Sequence, residues 1–479
     1  MSRLRPDDPG KSGREHVLIT WVFLRLLALI YGAAFASLLV QIKGLVGAEG
    51  ILPLSDYLDK AHEVLGDAAY WKIPTVFWLD DTDAALALAC WAGIFASLFV
   101  LIGRAEWLGL LLCYGLYLSL TYAGQSFTSF QWDVFLLESG FLALFLTGRS
   151  TIVVWLYRFL VFRFMLMGGL VKLASGDLSW RQLTALNYHF ETQPLPSPLA
   201  WYAHHLPAGL LAAGTAAVLV IELMVPFLIF LPRPFRLFAA ASFILLQLTI
   251  ILTGSYTFFN LLTIILCIFL LDDRDIRPLF KARLVQSIVS QVRPTSRLGE
   301  VAAGLMALFV TTTCVSWLWF STVRETPPQP LASVARVAST LGMVNGYGPF
   351  AVMTTERREI VVEGSDDGEH WRAYAFRYKP GDLAQPLSWN IPHQPRLDWQ
   401  MWFAALGSVE SNPWFSNFIE RLRQGSTPVL ALLSANPFPD HPPRWVRAML
   451  YQYTFTTPEE RDLTGQIWRR ELLGTYSSP

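Results

Sequence analysis

Nine apolar runs, each near the roughly 20 residues a helix needs to cross a bilayer, divide the first two thirds of this 479-residue chain. They cover residues 17–40, 84–101, 107–122, 132–146, 152–173, 206–230, 235–252, 257–271 and 301–321. The runs that begin at Trp107, Trp132 and Thr257 are short. In lipid every backbone N–H and C=O must be satisfied within the protein, so such runs fold as helices. The expected fold is therefore a polytopic α-helical membrane bundle of about nine spans. Composition agrees: 53% of residues are hydrophobic and 15% charged, against roughly a quarter charged in a soluble chain. The first run is too long for a cleavable signal peptide, and no small-residue cleavage site precedes a soluble domain.

Basic residues set the expected orientation. The N-terminal tail carries Arg3, Arg5, Lys11 and Arg14. Alternate connections carry Arg104, Arg149, Arg233 and Arg236, then Arg274, Arg277, Lys281, Arg283, Arg293 and Arg297. The short connections at 122–131 and 254–256 have no Lys or Arg. Nine spans with the N-terminus inside put the long loops 41–83 and 174–207, and everything after the last span, on the outer face. That face is the periplasm or the ER lumen.

Residues 322–330 include the proline-rich RETPPQP and read as a linker between a membrane domain (1–321) and a soluble domain (331–479). The runs 359–364 and 370–378 are β-rich and joined by SDDG, which suits a tight hairpin. Asn412 and Pro413 read as the cap and first residue of a helix through Arg423, ended by Gly425. Residues 444–456 form a further strand candidate. The expectation is an α+β domain with an antiparallel sheet.

Zero net charge gives no reason to expect a nucleic-acid partner. Cys90, Cys113, Cys267 and Cys314 all lie in apolar runs, so neither a disulfide framework nor zinc spacing is indicated. No GxSxG, HExxH, P-loop or dinucleotide fingerprint stands in a fitting context, and no cofactor is expected. The spans show no repeat pair of the kind transporters use.

Ionisable groups inside spans are costly, and mark function or paired anchors. Here they are Arg25, Asp133, Glu138, Arg158, Arg163, Lys172 and Glu222. Glu138 and Arg163 fall on adjacent spans at depths that meet, and Glu222 sits near the middle of the sixth run. Lys172 follows Gly168 and Gly169, which admit close approach of a neighbouring backbone. A lysine at a low-dielectric rim can act as a general base or simply reach for the interface.

The loop 174–207 is long for a connection, and long structured loops are often functional. Its segment NYHFETQPLPSPLAWYAHHLP (187–207) holds His189, Glu191, Trp201, Tyr202, His204 and His205, which are the candidate binding residues. Asp177 reads as an N-cap for 178–186, and PLPSP as a stiff extended piece. Trp201 and Tyr202 also suit a membrane interface. The adjacent His204 and His205 do not readily face one metal ion, and no metal site is expected.

That segment, with FRFMLMGGLVKLASGDLSW (162–180), IVVEGSDDGEHWRAYAFRYKPGD (360–382) and PHQPRLDWQMWFAALG (392–407), resembles the lipase maturation factor family. The resemblance runs from about Phe130 to the C-terminus. Before Ser129 it is one of hydropathy, and Ser255 stands where the family usually has Asn. It implies a polytopic helper for the folding and assembly of secreted lipases, with a lipase-like exported client as partner. A more distant similarity, over about a dozen residues, is to the vitamin K-dependent γ-glutamyl carboxylase superfamily. It implies an alternative, a membrane enzyme with Lys172 as base beside Asp177 and Trp180, aided by His189 or Glu191 from the loop. A helper needs an exposed apolar surface, for which WQMWFAAL (399–406) and PWFSNF (413–418) are the candidates, although such aromatics more often form a domain's own core. Eukaryotic members resemble ER residents. This chain ends GTYSSP, with no KDEL-type signal, so a bacterial inner membrane fits as well as the ER.

Overall fold

The computed structural model describes residues 16–146, 150–291, 296–323 and 327–478. Arg3, Arg5, Lys11, Arg14, Arg149 and Arg293, named above, lie outside the described residues, as do residues 324–326 of the linker and Pro479.

All nine apolar runs are helical over most of their length. They are α1 (Val17–Leu39), α2 (Asp83–Leu101), α3 (Glu106–Ala123), α4 (Gln131–Ala143) and α5 (Thr151–Ala174). In the 174–207 loop lie α6 (Ala185–Thr192) and α7 (Ala200–His204). There follow α8 (Ala208–Leu223), α9 (Arg233–Thr253), α10 (Phe259–Leu266) and α11 (Arg297–Val323). Short 3-10 turns, Val225–Phe230 and Cys267–Leu270, extend α8 and α10.

Only six of these helices are long and apolar enough to cross a membrane, so the count of nine is not sustained. They are Val17–Leu39, Asp83–Leu101, Thr151–Ala174, Ala208–Phe230, Arg233–Thr253 and Arg297–Trp317. The three that fall short are α3, α4 and α10, which contain the short runs. The reason is physical. At about 1.5 Å per residue, the 13 residues of α4 reach only about 20 Å of a roughly 30 Å hydrocarbon layer. Asp133 and Glu138 make that helix more polar still. Phe259–Leu270 is apolar but short.

The C-terminal region is α+β. After α12 (Leu331–Thr340) come β1 (Arg357–Ser365), β2 (Arg372–Ala373), α13 (Arg396–Ala405), α14 (Pro413–Arg423), β3 (Trp445–Phe455) and β4 (Trp468–Ser477). The four strands form one antiparallel sheet in the order β2-β1-β3-β4. The SDDG hairpin is present, and Glu363 faces Ala373 across it. Asp367 Oδ1 accepts from the backbone N–H groups of Glu369 and His370, at 2.8 Å each. Gly368 has φ +80°, a conformation that favours glycine. The second strand is shorter than 370–378, because after two residues the chain leaves β1 to meet Ala435. Asn412 precedes α14, and Gly425 turns the chain at φ +68° after it. The sequence pattern did not single out β4; this edge strand is mostly exposed and charged (Arg469, Arg470, Glu471), as suits a sheet edge.

One hydrophobic core runs through both regions, from Phe23 and Tyr157 in the bundle to Ile360, Phe415 and Val446 around the sheet. Residues 331–348 pack on the bundle. Tyr114 and Tyr122 of α3 donate to Leu341 O and Thr340 O.

Candidate functional site

The 174–207 loop is gripped between the bundle and the sheet. Asp177 does cap a helix, accepting from Ser179 N at 2.7 Å, but that helix is one turn, Leu178–Arg181. Its other oxygen accepts from Met353 N. Burial works to raise the Asp177 pKa, yet the two N–H donors outweigh it and hold the carboxyl below its usual value. Pro196 makes a β-bridge with Gly254, and Ser255 N donates to Leu195 O, so the PLPSP piece lies along the α9–α10 turn.

Three loop carbonyls, those of Glu191, Gln193 and Pro194, accept from the guanidinium of Arg357 on β1. Arg357 is fully buried and is also paired with Glu359, which meets Lys379 at 2.9 Å. Sequence reasoning missed Arg357, because nothing in RREIVVEGS marks its first arginine, rather than its second, as an inward-facing clamp.

The candidate residues divide into two groups. Glu191 Oε2 accepts from Phe455 N at 2.6 Å and lies 3.8 Å from His204 Nε2. Burial raises its pKa, opposed by the Phe455 N–H and by Arg357. Trp201 is buried, donates to Thr456 O at 3.1 Å and carries the Arg461 guanidinium over its ring at 4.4 Å. His204 packs on Phe455, and burial together with His205 lowers its pKa to about 4. His205 contacts Trp201 O at 2.7 Å. Tyr202 is 56% exposed, between exposed Leu199 and Leu206.

His189 faces the other way. Its ring meets Phe350 at 5.2 Å and lies parallel to Tyr256 at 6.5 Å. Burial and the charge of Lys172 push its pKa down to about 4. Lys172 donates to Glu222 (2.7 and 3.0 Å) and to Gly168 O, with its ammonium over the Trp180 ring. The close neighbour that Gly168 and Gly169 admit is α8, since a Cβ on Gly169 would lie 2.8 Å from Leu223. The ammonium thus meets both oxygens of one carboxylate in a close ion pair. Glu191 does not join Lys172 and His189: it faces β3, and they face Phe350 and α8.

The other intramembrane charges are likewise paired. Arg163 pairs with Glu138 as their adjacent spans suggested. Glu138 also accepts from Tyr347 Oη at 2.6 Å and Asn345 N at 3.0 Å. Arg25 pairs with Glu106. Asp133 forms a two-pronged pair with Arg396 of α13, at 2.7 and 2.9 Å, and accepts from Tyr117 Oη. Arg396 donates a further bond to Phe127 O. Both side chains are almost completely buried.

Of the two readings of the aromatic segments, surface or core, the structure bears out the core: they are committed to packing. Trp399, Met401, Trp402, Trp414, Phe415 and Phe418 are all buried. Trp399 packs on Trp132 at 4.6 Å, and Trp402 donates to Thr192 O at 2.8 Å. They seat the sheet domain on the bundle and fill its core, leaving only Phe403 and Leu406 exposed. An open groove of about 410 Å³ lies at the same end of the bundle, lined by Tyr57, Thr121, Tyr122, Phe130, Gln131 and Val134 among others.

Comparison with known proteins places both regions. Residues 18–278 match the model of the lipase maturation factor transmembrane domain, and residues 343–478 that of the lipase maturation factor C-terminal domain. The chain is 36% identical to lipase maturation factor 1 of Homo sapiens, over 99% of this chain and 92% of that protein. It is 35% identical to lipase maturation factor 2 of Xenopus laevis, over 96% and 82% respectively. No solved structure matches the chain.

Proposed function

Because the chain belongs to the lipase maturation factor family, we propose that it is a membrane-embedded helper for the folding and assembly of secreted lipases. The observation that carries this reading is the alignment with human lipase maturation factor 1 along 99% of the chain, through both the bundle and the sheet domain. The geometry supports a helper over an enzyme related to the carboxylases, since Lys172 is neutralised by Glu222 and Glu191 points away from it.

On this reading the membrane domain is 1–321, the linker 322–330 and the soluble domain 331–479. On this reading the sheet domain stands on the periplasmic or lumenal side, of a bacterial inner membrane or of the ER; what supports it is that the connections 122–131 and 254–256, at the sheet-domain end of the bundle, carry no Lys or Arg. The client, a lipase-like exported protein, meets this chain there. Within the 174–207 loop, Glu191, Trp201 and His204 hold the domain, while His189 packs the loop on Phe350. Tyr202, with Leu199 and Leu206, is the part open to a client.

The test is complementation. A secreted lipase is co-expressed with this chain in cells that lack their own maturation factor, and lipase activity is measured in the medium. Restored activity is expected. No activity, with this chain at normal abundance in the membrane, overturns the reading.

A further inference from the structure

The loop between α1 and α2 carries the most exposed apolar side chains near the sheet-domain end of the bundle. Leu79 is 91% and Trp71 84% exposed, and Tyr70 and Val76 are about half exposed. We propose that residues 70–79 form a lipid anchor, seated at the boundary between headgroups and hydrocarbon on the face that carries the sheet domain. The occupant is bilayer lipid.

Depth is the first argument. Helices α2 and α3 pack antiparallel and can be put in register by two contacts. A Cβ on Gly109 would lie 2.7 Å from Val100 and 2.9 Å from Ala96 O. One turn on, Cys113 Sγ is 3.9 Å from Gly93 O. Continuing that register brings Ser119 level with Ala87 and Leu88, about 6–7 Å inside the start of α2 at 1.5 Å per residue. The loop descends to this level, because Val76 N donates to Ser119 Oγ at 3.2 Å and Thr75 Oγ1 donates to Ser119 O at 3.3 Å. Val76 is thus bonded to the side of a bundle helix below its end.

Continuity is the second argument. On α2, Leu88, Trp91 and Phe95 are exposed, as are Leu111 and Leu112 on α3. Val76 and Leu79 extend this apolar belt at its rim. The strip is built to hold its shape: Phe77 is buried, Trp78 donates to Ile73 O at 2.8 Å, and Tyr70 packs on Trp78 at 4.8 Å. Polarity then reverses across the loop. The helix Leu54–Leu65 buries Leu54 and Leu58 and exposes Asp56, Asp59, Lys60 and Glu63. Lys72 is exposed within the strip, where its long stem can lift the ammonium to the headgroups, and the charged Asp80 and Asp81 follow it. Such an element lies in the membrane surface with its apolar side down, and tryptophan suits that depth. A water-soluble client would not reach Val76 at the level of Ser119, which favours lipid over protein as occupant.

The test uses the full-length protein in phosphatidylcholine nanodiscs, with a nitroxide attached at Leu79→Cys, at Trp71→Cys or, as the aqueous control, at Asp56→Cys. The native cysteines are buried or half-buried, and unsubstituted protein labelled in parallel gives the background. Leu79 and Trp71 point away from the core, so their replacement leaves the fold intact, and an unchanged melting temperature checks this. Expected are collision rates with oxygen well above those with a water-soluble nickel chelate at residues 71 and 79, and the reverse at 56. A label at 79 as open to the chelate as the label at 56 overturns the proposal. So does a label open to water that is shielded only on adding a secreted lipase, which would make the strip a protein-docking surface. Neither result bears on complementation, so the anchor and the maturation role fail separately.

Discussion

The loops 41–83 and 174–207 enter from the same end of the bundle and are both long, yet they are held in opposite ways. The second is polar and fastened: its carbonyls hold Arg357, Glu191 holds the end of β3, and Trp201 and Trp402 each donate a hydrogen bond across the joint. The first touches the sheet domain only near its start, where Arg421 and Ser426 donate to Ala48, Glu49 and Gly50 carbonyls. Beyond that point it turns its apolar side chains outward. Conspicuous chemistry in a membrane protein's loop therefore marks, in this chain, the joint between two regions. The plain loop leaves the more exposed apolar side chains, Trp71 and Leu79, against Tyr202, Leu199 and Leu206 in the fastened one.

The comparison breaks first at the joint. Removing one member of the Asp133–Arg396 pair leaves a buried charge unmatched, at a cost of about 3–5 kcal/mol. Asp133→Ala and Arg396→Ala should each lower the melting temperature sharply and expose the sheet domain to protease. Replacing both, Asp133→Leu with Arg396→Met, should recover most of that loss, because an apolar pair of similar size is often neutral. If both single variants melt like the parent, the pair does not seat the domain.

Lys172 sharpens the difference between anchor and catalyst. Lys172→Ala strands the Glu222 carboxylate and should lose both stability and lipase maturation. Lys172→Arg keeps the charge beside Glu222 and should retain most of the activity, although arginine cannot act as a base. A well-folded but inactive Lys172→Arg protein would restore the enzymatic reading.

Acid should loosen the fastened loop. Burial holds His189 and His204 near 4 in the folded chain, against an ordinary value of 6.5. His393, which contacts Ser37 of α1 at 2.9 Å, is likewise near 4 through burial and Arg396. Between those values the unfolded chain binds more protons, so stability present above pH 6.5 is lost as pH falls, and levels off below about 4. Thermal melts over that range should show the fall, and His204→Gln should make it shallower. A flat profile between pH 6.5 and 4 would mean these rings are hydrated.

The smallest expected change is at Tyr202. Its exposure predicts a stability change within about 0.5 kcal/mol on replacement by Ala, with reduced lipase maturation at normal abundance. Unchanged maturation would remove Tyr202 from the client surface.

Much of the local structure was legible, because it is written in neighbouring residues. The SDDG turn, the Asn412–Pro413 helix start, the Asp177 cap and the depth match of Glu138 with Arg163 all follow from short-range pattern. The joint was not. Asp133 and Arg396 are 263 positions apart, and hydropathy shows that a charge is expensive without showing which partner offsets it. The aromatic segments stayed open to two readings for the same reason: periodicity identifies an apolar face, and only the fold shows that Trp132 covers Trp399. The nine runs exceed the six helices long and apolar enough to span because α4 and α10 are short, α4 is also doubly acidic, and α3 carries Glu106 and several tyrosines.

The measurement that bears most directly on the loop as a joint is protease protection of the sheet domain in Glu191→Ala, made on the full-length protein in membranes alongside secreted lipase activity. Losing the carboxylate leaves the buried Phe455 N–H without its acceptor, a penalty of about 1–3 kcal/mol. The account predicts that cleavage between β3 and β4 accelerates and that lipase activity falls with it. A sheet domain as protected as in the parent, together with abolished lipase activity, would contradict it and make the loop itself the working surface.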